Sequence, residues 1–324
     1  MVKAIRIHKA GGPDVLTWED VAVDKPGAGQ ILVRHGAVGL NYIDIYHRTG
    51  LYPITYPSGI GMEGAGTVEA VGAGVTDLKP GDRVAYASAP LGAYAEARLM
   101  PADKVVRVPD SIPDRDAAAM MLQGMTVEYL VRRTYPIKRG DTVVIHAAAG
   151  GIGLIFCQWA KHLGATIIGT VSSDEKAKLA KANGCDHTII YTREDFAKRV
   201  KEITGGAGVP VVYDSIGKDT FEGSLDCLRP RGLMVSFGNA SGPVPPFSIA
   251  ILGAKGSLYL TRPSLAAYTA TRADLLESAK ALFDVVTSGA VKIAVNQTYP
   301  LKDAAQAHRD LEARKTTGST VLIP

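Results

Sequence analysis

Residues 142–153 read Thr-Val-Val-Ile-His-Ala-Ala-Ala-Gly-Gly-Ile-Gly. A short β-branched run, Thr142–Ile145, leads into a glycine cluster that opens a helix. Glycines in such a loop let the backbone turn tightly and approach a pyrophosphate, whose charge meets the N–H groups of the helix N-terminus. The strict G-x-G-x-x-G spacing fails at its first position, Ala148. The stretch fits A-x-x-G-x-x-G instead, through Ala147, Gly150 and Gly153. Alone, this is as good a Gly-rich turn as a phosphate site, so its surroundings decide.

Those surroundings alternate. Apolar runs at Thr142–Ala147, Thr166–Val171, His187–Tyr191, Val209–Asp214, Gly232–Phe237 and Gly256–Thr261 recur about every 22 residues, room for one strand and one helix per step. One helix is expected from Gly151 to Gly164 and another from Asp174 to Gly184, each with a glycine at its C-terminal end. Six strands alternating with helices imply an α/β, doubly wound parallel sheet, covered on both faces, of the Rossmann dinucleotide-binding kind. The glycine loop then sits after its first strand, where a pyrophosphate binds.

The end of the second strand separates NAD from NADP. NAD enzymes usually place an acid there on the ribose 2′-hydroxyl. Here the strand ends Thr170-Val171 and continues Ser172-Ser173-Asp174-Glu175-Lys176. Hydroxyls and a lysine suit a 2′-phosphate, and either serine also suits the cap of a helix whose first turn carries Asp174 and Glu175.

The first 125 residues read differently. Strand-like pieces at Gln30–Val38, Gly64–Val71 and Arg83–Ala87 are separated by turns such as Gly72-Ala73-Gly74 and Lys79-Pro80-Gly81-Asp82. An antiparallel, barrel-like β domain is expected. After Thr261 come a helix over Arg272–Thr287, a strand, a helix over Lys302–Glu312 and a last strand, Ser319–Ile323. This tail is expected to rejoin the first domain. The domains are then 1–125 with 262–324, and 126–261.

Composition narrows the class. Of 324 residues, 46% are hydrophobic and 21% charged, enough for a sizeable core. The net charge of +4 is scattered. The densest basic stretch, Arg132, Arg133, Lys138 and Arg139, reads as a solvated helix end and turn. Only 6% of residues are aromatic and there is no arginine-rich arm, which argues against nucleic acid. Cys157, Cys185 and Cys227 lie far apart, outside any CxxC spacing, and favour a reducing compartment. The N-terminus lacks a signal-peptide core. The longest uncharged stretch, Gly232–Ala254, carries Pro243, Pro245 and Pro246, which argues against a membrane helix. A cytoplasmic protein is expected.

Several further motifs run the length of the chain. They are Gly11-Gly12-Pro13, Gly39-Leu40-Asn41-Tyr42-Ile43-Asp44, Arg48-Thr49-Gly50-Leu51-Tyr52-Pro53, Gly61-Met62-Glu63-Gly64-Ala65-Gly66 and Gly81-Asp82-Arg83-Val84. Together with the Ala-Ala-Ala-Gly-Gly-Ile-Gly loop, they make the chain resemble the medium-chain dehydrogenase/reductase superfamily. Within it, the chain is similar to the NADPH:quinone oxidoreductases related to zeta-crystallin. The resemblance implies a GroES-like β-barrel catalytic domain beside the Rossmann domain. Zinc-dependent members place a cysteine where this chain has Asn41 and a histidine where it has Met62. Catalytic zinc takes three protein ligands of the Cys, His or carboxylate type, and Asn and Met do not replace them. No metal is expected. An acceptor that takes hydride without a Lewis acid is implied: a quinone, or a conjugated carbonyl compound.

Carried over residue by residue, the resemblance gives a cofactor map for NADPH. Asn41, Tyr42, Ile43, Asp44 and Tyr46 line the nicotinamide end, with Thr126 nearby. Gly150, Gly151 and Ile152 cradle the pyrophosphate. Ser172, Ser173, Lys176 and Tyr191 surround the 2′-phosphate, and Ser215, Phe237 and Gly238 follow the strand ends back. Arg262 and Arg314 complete the set. Tyr46 and Tyr52 are the candidates for holding the substrate oxygen; their plainer reading is as tyrosines packing a β-domain surface with a wet hydroxyl. His146 reads as a packed, hydrogen-bonded histidine, Glu63 as structural, and Leu225, Cys227 and Leu228 as core. The rival activities are an NADPH-dependent 2-alkenal or enone reductase and a non-enzymatic, crystallin-like NADPH- or RNA-binding protein. A homodimer is expected, formed across the apolar edge Ser257–Thr261.

Overall fold

A computed structural model describes residues 1–324, which fall into two compact units. The first comprises Met1–Met125, Thr269–Thr287 and Ile293–Pro324; the second comprises Thr126–Tyr268 and Ser288–Lys292.

In the first unit, β1 (Val2–Ile7), β2 (Thr17–Val21), β3 (Gln30–Leu40) and helix α1 (Tyr42–Thr49) come first. They are followed by β4 (Ser58–Gly59), β5 (Glu63–Val71), β6 (Arg83–Ala87), β7 (Ala97–Pro101), β8 (Val106–Arg107) and α2 (Asp114–Tyr129), whose residues from Thr126 onward belong to the second unit. β3 organises the unit: it pairs antiparallel with β5 and β7, and two register shifts against β5 curl the sheet. A small sheet of order β2-β1-β4 stands apart from it. The barrel-like antiparallel reading is borne out, but α1 and α2 were not foreseen there. The α1 stretch, Tyr-Ile-Asp-Ile-Tyr-His-Arg-Thr, is rich in β-branched and aromatic residues, and its helicity rests on its cap and the left-handed Gly50 that ends it.

In the second unit the expected alternation is present. Its strands are β9 (Thr142–Ile145), β10 (Thr166–Val171), β11 (His187–Ile190), β12 (Val209–Asp214), β13 (Leu228–Ser236) and β14 (Tyr259–Thr261). They form one parallel sheet of order 11-10-9-12-13-14. The helices are α3 (Gly151–His162), α4 (Asp174–Ala182), α5 (Phe196–Ile203), α6 (Phe221–Asp226), α7 (Ala250–Ala254) and α8 (Leu265–Tyr268). Every residue of β12 is buried, as a central strand covered on both faces must be. Left-handed Gly164 and Gly184 end α3 and α4. Leu225, Cys227 and Leu228 lie in the core, and β14, shorter than expected, is an edge strand.

The tail contributes α9 (Arg272–Thr287), β15 (Val295–Pro300), α10 (Ala304–Glu312) and β16 (Ser319–Ile323). β16 pairs antiparallel with β3, so the chain ends inside the first unit's sheet. It re-enters that unit at Thr269 rather than at residue 262, because Tyr268 is held in the second unit. The Tyr268 ring stacks on Tyr129 at 4.4 Å, and its carbonyl accepts from Arg133 Nη2. No helix is long and apolar enough to cross a membrane.

Candidate functional site

In the second unit the expected cofactor residues fall along one edge of the sheet. Gly150, Gly151 and Ile152 follow β9; Ser172, Ser173 and Lys176 follow β10; Tyr191 follows β11; Ser215 follows β12; Phe237 and Gly238 follow β13; Arg262 follows β14. All these positions are C-terminal ends of parallel strands, where open α/β sheets bind ligands. Some of them also touch. A Cβ on Gly238 would lie 2.4 Å from the Ser215 carbonyl oxygen, so the two loops meet backbone to backbone. Arg262 Nη1 donates to Ser236 Oγ (3.2 Å) and to the Gly238 carbonyl (3.0 Å).

The glycine loop is shaped as a phosphate cradle. Gly150 is the N-cap of α3, and Ala147 is held at a left-handed φ of 54°. At Gly153 a Cβ would stand 2.3 Å from the Ala147 carbonyl oxygen and 2.6 Å from the Ala148 carbonyl carbon. The helix can therefore approach its own loop only with glycine there. No acidic residue stands in the first turn of α3, so nothing opposes an anion at its positive end.

At the end of β10, Ser173 takes up the capping role its position suggested. Its Oγ accepts the Lys176 N–H at 3.3 Å and caps α4, while the strand end itself bears no carboxylate. Asp174 is drawn into an ion pair with Arg193.

Beneath these loops lies a buried polar chain. His146 Nδ1 is 2.8 Å from Thr170 Oγ1, and its Nε2 is 2.9 Å from Ser224 Oγ. Ser224 donates to Asp214 Oδ2 (2.8 Å), so His146 must donate through Nε2 and accept the Thr170 proton at Nδ1. Asp214 Oδ1 in turn accepts the N–H groups of Ile216 (2.7 Å) and Gly217 (3.0 Å). Burial pushes the imidazole pKa down, keeping it neutral. The ends of β9, β10 and β12 are thus keyed together by one histidine. Sequence reasoning read His146 correctly as packed and hydrogen-bonded, but nothing in the sequence marked the residues it joins.

In the first unit, Asn41 sits at the N-terminus of α1, 5% exposed. Its Nδ2 donates to Glu63 Oε2 (2.6 Å), and its Oδ1 accepts from Gln123 Nε2 (3.2 Å). Ser319 Oγ donates to Gln123 Oε1 (2.8 Å), and Glu63 Oε1 accepts the Leu122 N–H (2.8 Å). Burial pushes the Glu63 carboxyl up to about 8. A Cβ at Gly39 would stand 2.3 Å from Glu63 Oε2 and 2.2 Å from the Ala118 carbonyl oxygen, so the Gly39-Leu40-Asn41 motif opens with glycine for a steric reason. No group of three His, Cys, Asp or Glu side chains is placed to hold a metal ion.

Asp44, expected among the cofactor contacts, has its carboxyl turned inward and fully buried. Its Oδ2 accepts the Asn41 N–H (2.9 Å) and the Tyr94 hydroxyl (2.9 Å). A directed chain stands behind it. Arg48 Nη1 donates to His308 Nδ1 (3.0 Å), and His308 Nε2 then faces the Tyr94 oxygen (3.1 Å). Arg48 also grips Glu312 with both Nη atoms. Burial pushes Asp44 up to about 7 and His308 down to about 3. Asp44 thus reads as a fastening of α1 rather than a side chain facing a ligand.

Tyr46 corrects the surface reading: it is 8% exposed and packs against Tyr42 and Tyr52, with ring centroids 6.2 and 5.2 Å away. The Tyr42 hydroxyl donates to the Leu311 carbonyl (3.3 Å). Ile43 is half-buried on the first turn of α1. Thr126 lies buried on α2, and Arg314 lies on the turn after α10 at a left-handed φ of 58°.

Comparisons with known proteins follow these features. Residues 27–110 match the alcohol dehydrogenase GroES-like domain, and residues 151–281 match the zinc-binding dehydrogenase family. The second name describes the family; in this chain Asn41 and Met62 offer zinc neither thiolate nor imidazole. A quinone oxidoreductase of Pseudomonas aeruginosa is 54% identical over the full length of both chains. A 2-haloacrylate reductase of a Burkholderia species is 51% identical over 100% of this chain and 99% of its own. The crystal structure of Escherichia coli quinone oxidoreductase complexed with NADPH superposes with a TM-score of 0.98 at 52% identity, covering 99% of this chain and 100% of that one. With both domains matched and full-length relatives above half identity, the chain belongs to the quinone oxidoreductases of the medium-chain dehydrogenase/reductase superfamily.

Proposed function

We propose that this protein is an NADPH-dependent quinone oxidoreductase that works without zinc. The full-length identity to quinone oxidoreductases, one of them solved with NADPH, carries the reading. The second unit, Thr126–Tyr268 with Ser288–Lys292, is the NADPH-binding domain, and the first unit is the catalytic domain. Bound NADPH supplies the hydride. The protein's part is to bind, orient and exclude water.

Gly150, Gly151 and Ile152 hold the pyrophosphate at the N-terminus of α3, and the strained Ala147 and tight Gly153 fix the loop for it. Ser172, Ser173, Lys176 and Tyr191 take the 2′-phosphate; Ser215, Phe237, Gly238 and Arg262 line the path toward the nicotinamide. On the catalytic side, Asn41, Tyr42, Ile43 and Tyr46, with Thr126 and Arg314, complete the cofactor contacts, while Asp44 fastens α1. Asn41 is held by Glu63 and Gln123, so its amide is fixed before any ligand arrives. Tyr46 and Tyr52 hold the acceptor oxygen, their rings fixed edge to face. With no metal to polarise the acceptor, the substrate must itself be electron-poor, which a quinone is.

The identity to a 2-haloacrylate reductase favours a second reading, reduction of a conjugated double bond. A panel of para-benzoquinone, an ortho-quinone, a 2-alkenal and 2-chloroacrylate, followed by NADPH absorbance, tests the two. Quinone turnover is expected; turnover of only the alkenal or acrylate would sink the quinone reading. The protein is further taken to be cytoplasmic and a homodimer paired along β14, the exposed edge that carries Tyr259 at 61% exposure. A monomer in sedimentation would contradict the latter.

A further inference from the structure

The end of β10 poses a contradiction for an NADPH site. It lacks the acid that favours NADH, yet the next turn brings Asp174 and Glu175, two carboxylates that repel a 2′-phosphate. The structure holds an answer in the loop after β11. The Tyr191 N–H donates to the Val171 carbonyl (3.1 Å), and Thr192 Oγ1 donates to the Ser172 carbonyl (3.2 Å). These bonds lay one loop along the other, and the Arg193 N–H closes its own turn on the Ile190 carbonyl (2.9 Å). The guanidinium of Arg193 then reaches Asp174, Nη2 to Oδ2, at 2.7 Å.

We propose that Arg193 is a specificity-determining residue for NADPH: it neutralises Asp174 and turns its remaining N–H donors to the 2′-phosphate. Arg193 has five donors, and Asp174 occupies one of them. A guanidinium oriented by one carboxylate is a ready partner for a phosphate, which takes charge-assisted, paired hydrogen bonds. An arginine near the end of the second strand is where such folds accommodate the extra phosphate. The pair holds the Asp174 carboxyl below the usual carboxylate range, so it stays ionised and keeps its grip on Arg193. Both side chains are more than half exposed, so the effect must weaken with salt.

The inference rests on the NADPH reading, and the experiment separates the two. Dissociation constants for NADPH, NADH, adenosine 2′,5′-bisphosphate and 5′-AMP are measured by titration calorimetry for the parent protein, R193A and R193A/D174N. A parent with no preference for NADPH over NADH would refute the cofactor reading itself. With that preference present, R193A is expected to lose about tenfold in affinity for NADPH and for the bisphosphate, with NADH and 5′-AMP changed less than about twofold. R193A/D174N is expected to recover part of the loss, and the R193A effect is expected to shrink in high salt. Unchanged NADPH selectivity in R193A, or a double variant no better than R193A, would overturn the proposal.

Discussion

Replacing Gly153 with alanine sets two opposing terms against each other at one atom. Alanine in a helix is favoured over glycine by about 0.5–1 kcal/mol, so propensity alone predicts a more stable protein. The structure predicts the reverse. The added Cβ would stand 2.3 Å from the Ala147 carbonyl oxygen and 2.6 and 2.7 Å from the Ala148 carbonyl carbon and Cα. All three atoms are backbone, so no side chain can swing aside. The start of α3 must move off its loop by roughly an ångström, and overpacking of this kind costs about 1–3 kcal/mol. The net expectation is a loss of roughly 1–2 kcal/mol in urea unfolding. NADPH affinity should fall at least about tenfold, because the same shift opens the phosphate cradle. Gly253→Ala is the control, since a Cβ there meets nothing within 4 Å and propensity acts alone. A G153A protein as stable as the parent, binding NADPH normally, would refute the steric account of the loop.

Other consequences follow from the same geometry. Lys176→Ala should weaken NADPH about tenfold and NADH far less; equal losses would contradict a 2′-phosphate role for this end of β10. His146→Ala removes both bonds of a buried ring and should cost about 2–4 kcal/mol in denaturant unfolding, with less than about 0.5 kcal/mol contradicting its keying role. Burial pushes the Glu63 carboxyl from its ordinary 4.5 up to about 8 in the folded protein, so the folded state binds the extra proton between those values. Its contribution to stability is therefore present at pH 4.5 and lost as pH rises toward 8. Glu63→Gln should flatten that decline when stability is measured across the window, and an unaltered slope would refute the assignment.

The second unit was the more legible because its architecture repeats. β10 and β12 are announced by β-branched runs and have the bounds the pattern predicts, and α3 and α4 stop at the glycines that mark their ends. α1 was hidden because its residues favour strands, and its helicity depends on Asp44 and Gly50 at its two ends. The glycine loop and the Ser173 cap could be read from local chemistry. The partners of Asn41 could not: Glu63, Gln123 and Ser319 lie 22, 82 and, through Gln123, 196 further residues away, and only the fold brings them together. The packing of Tyr46 was not legible for a related reason, since whether an amphipathic ring is wet depends on neighbours that the helix supplies. Arg193 was overlooked because an exposed arginine in a charged loop carries no signal until its carboxylate is seen.

The central claim is tested most directly by steady-state reduction of para-benzoquinone after dialysis against a strong zinc chelator, with NADPH and NADH compared as donors. The account predicts undiminished turnover in the chelated protein and a kcat/KM for NADPH at least about tenfold above that for NADH. Activity that is lost on chelation and restored by zinc, or NADH serving as well as NADPH, would contradict it.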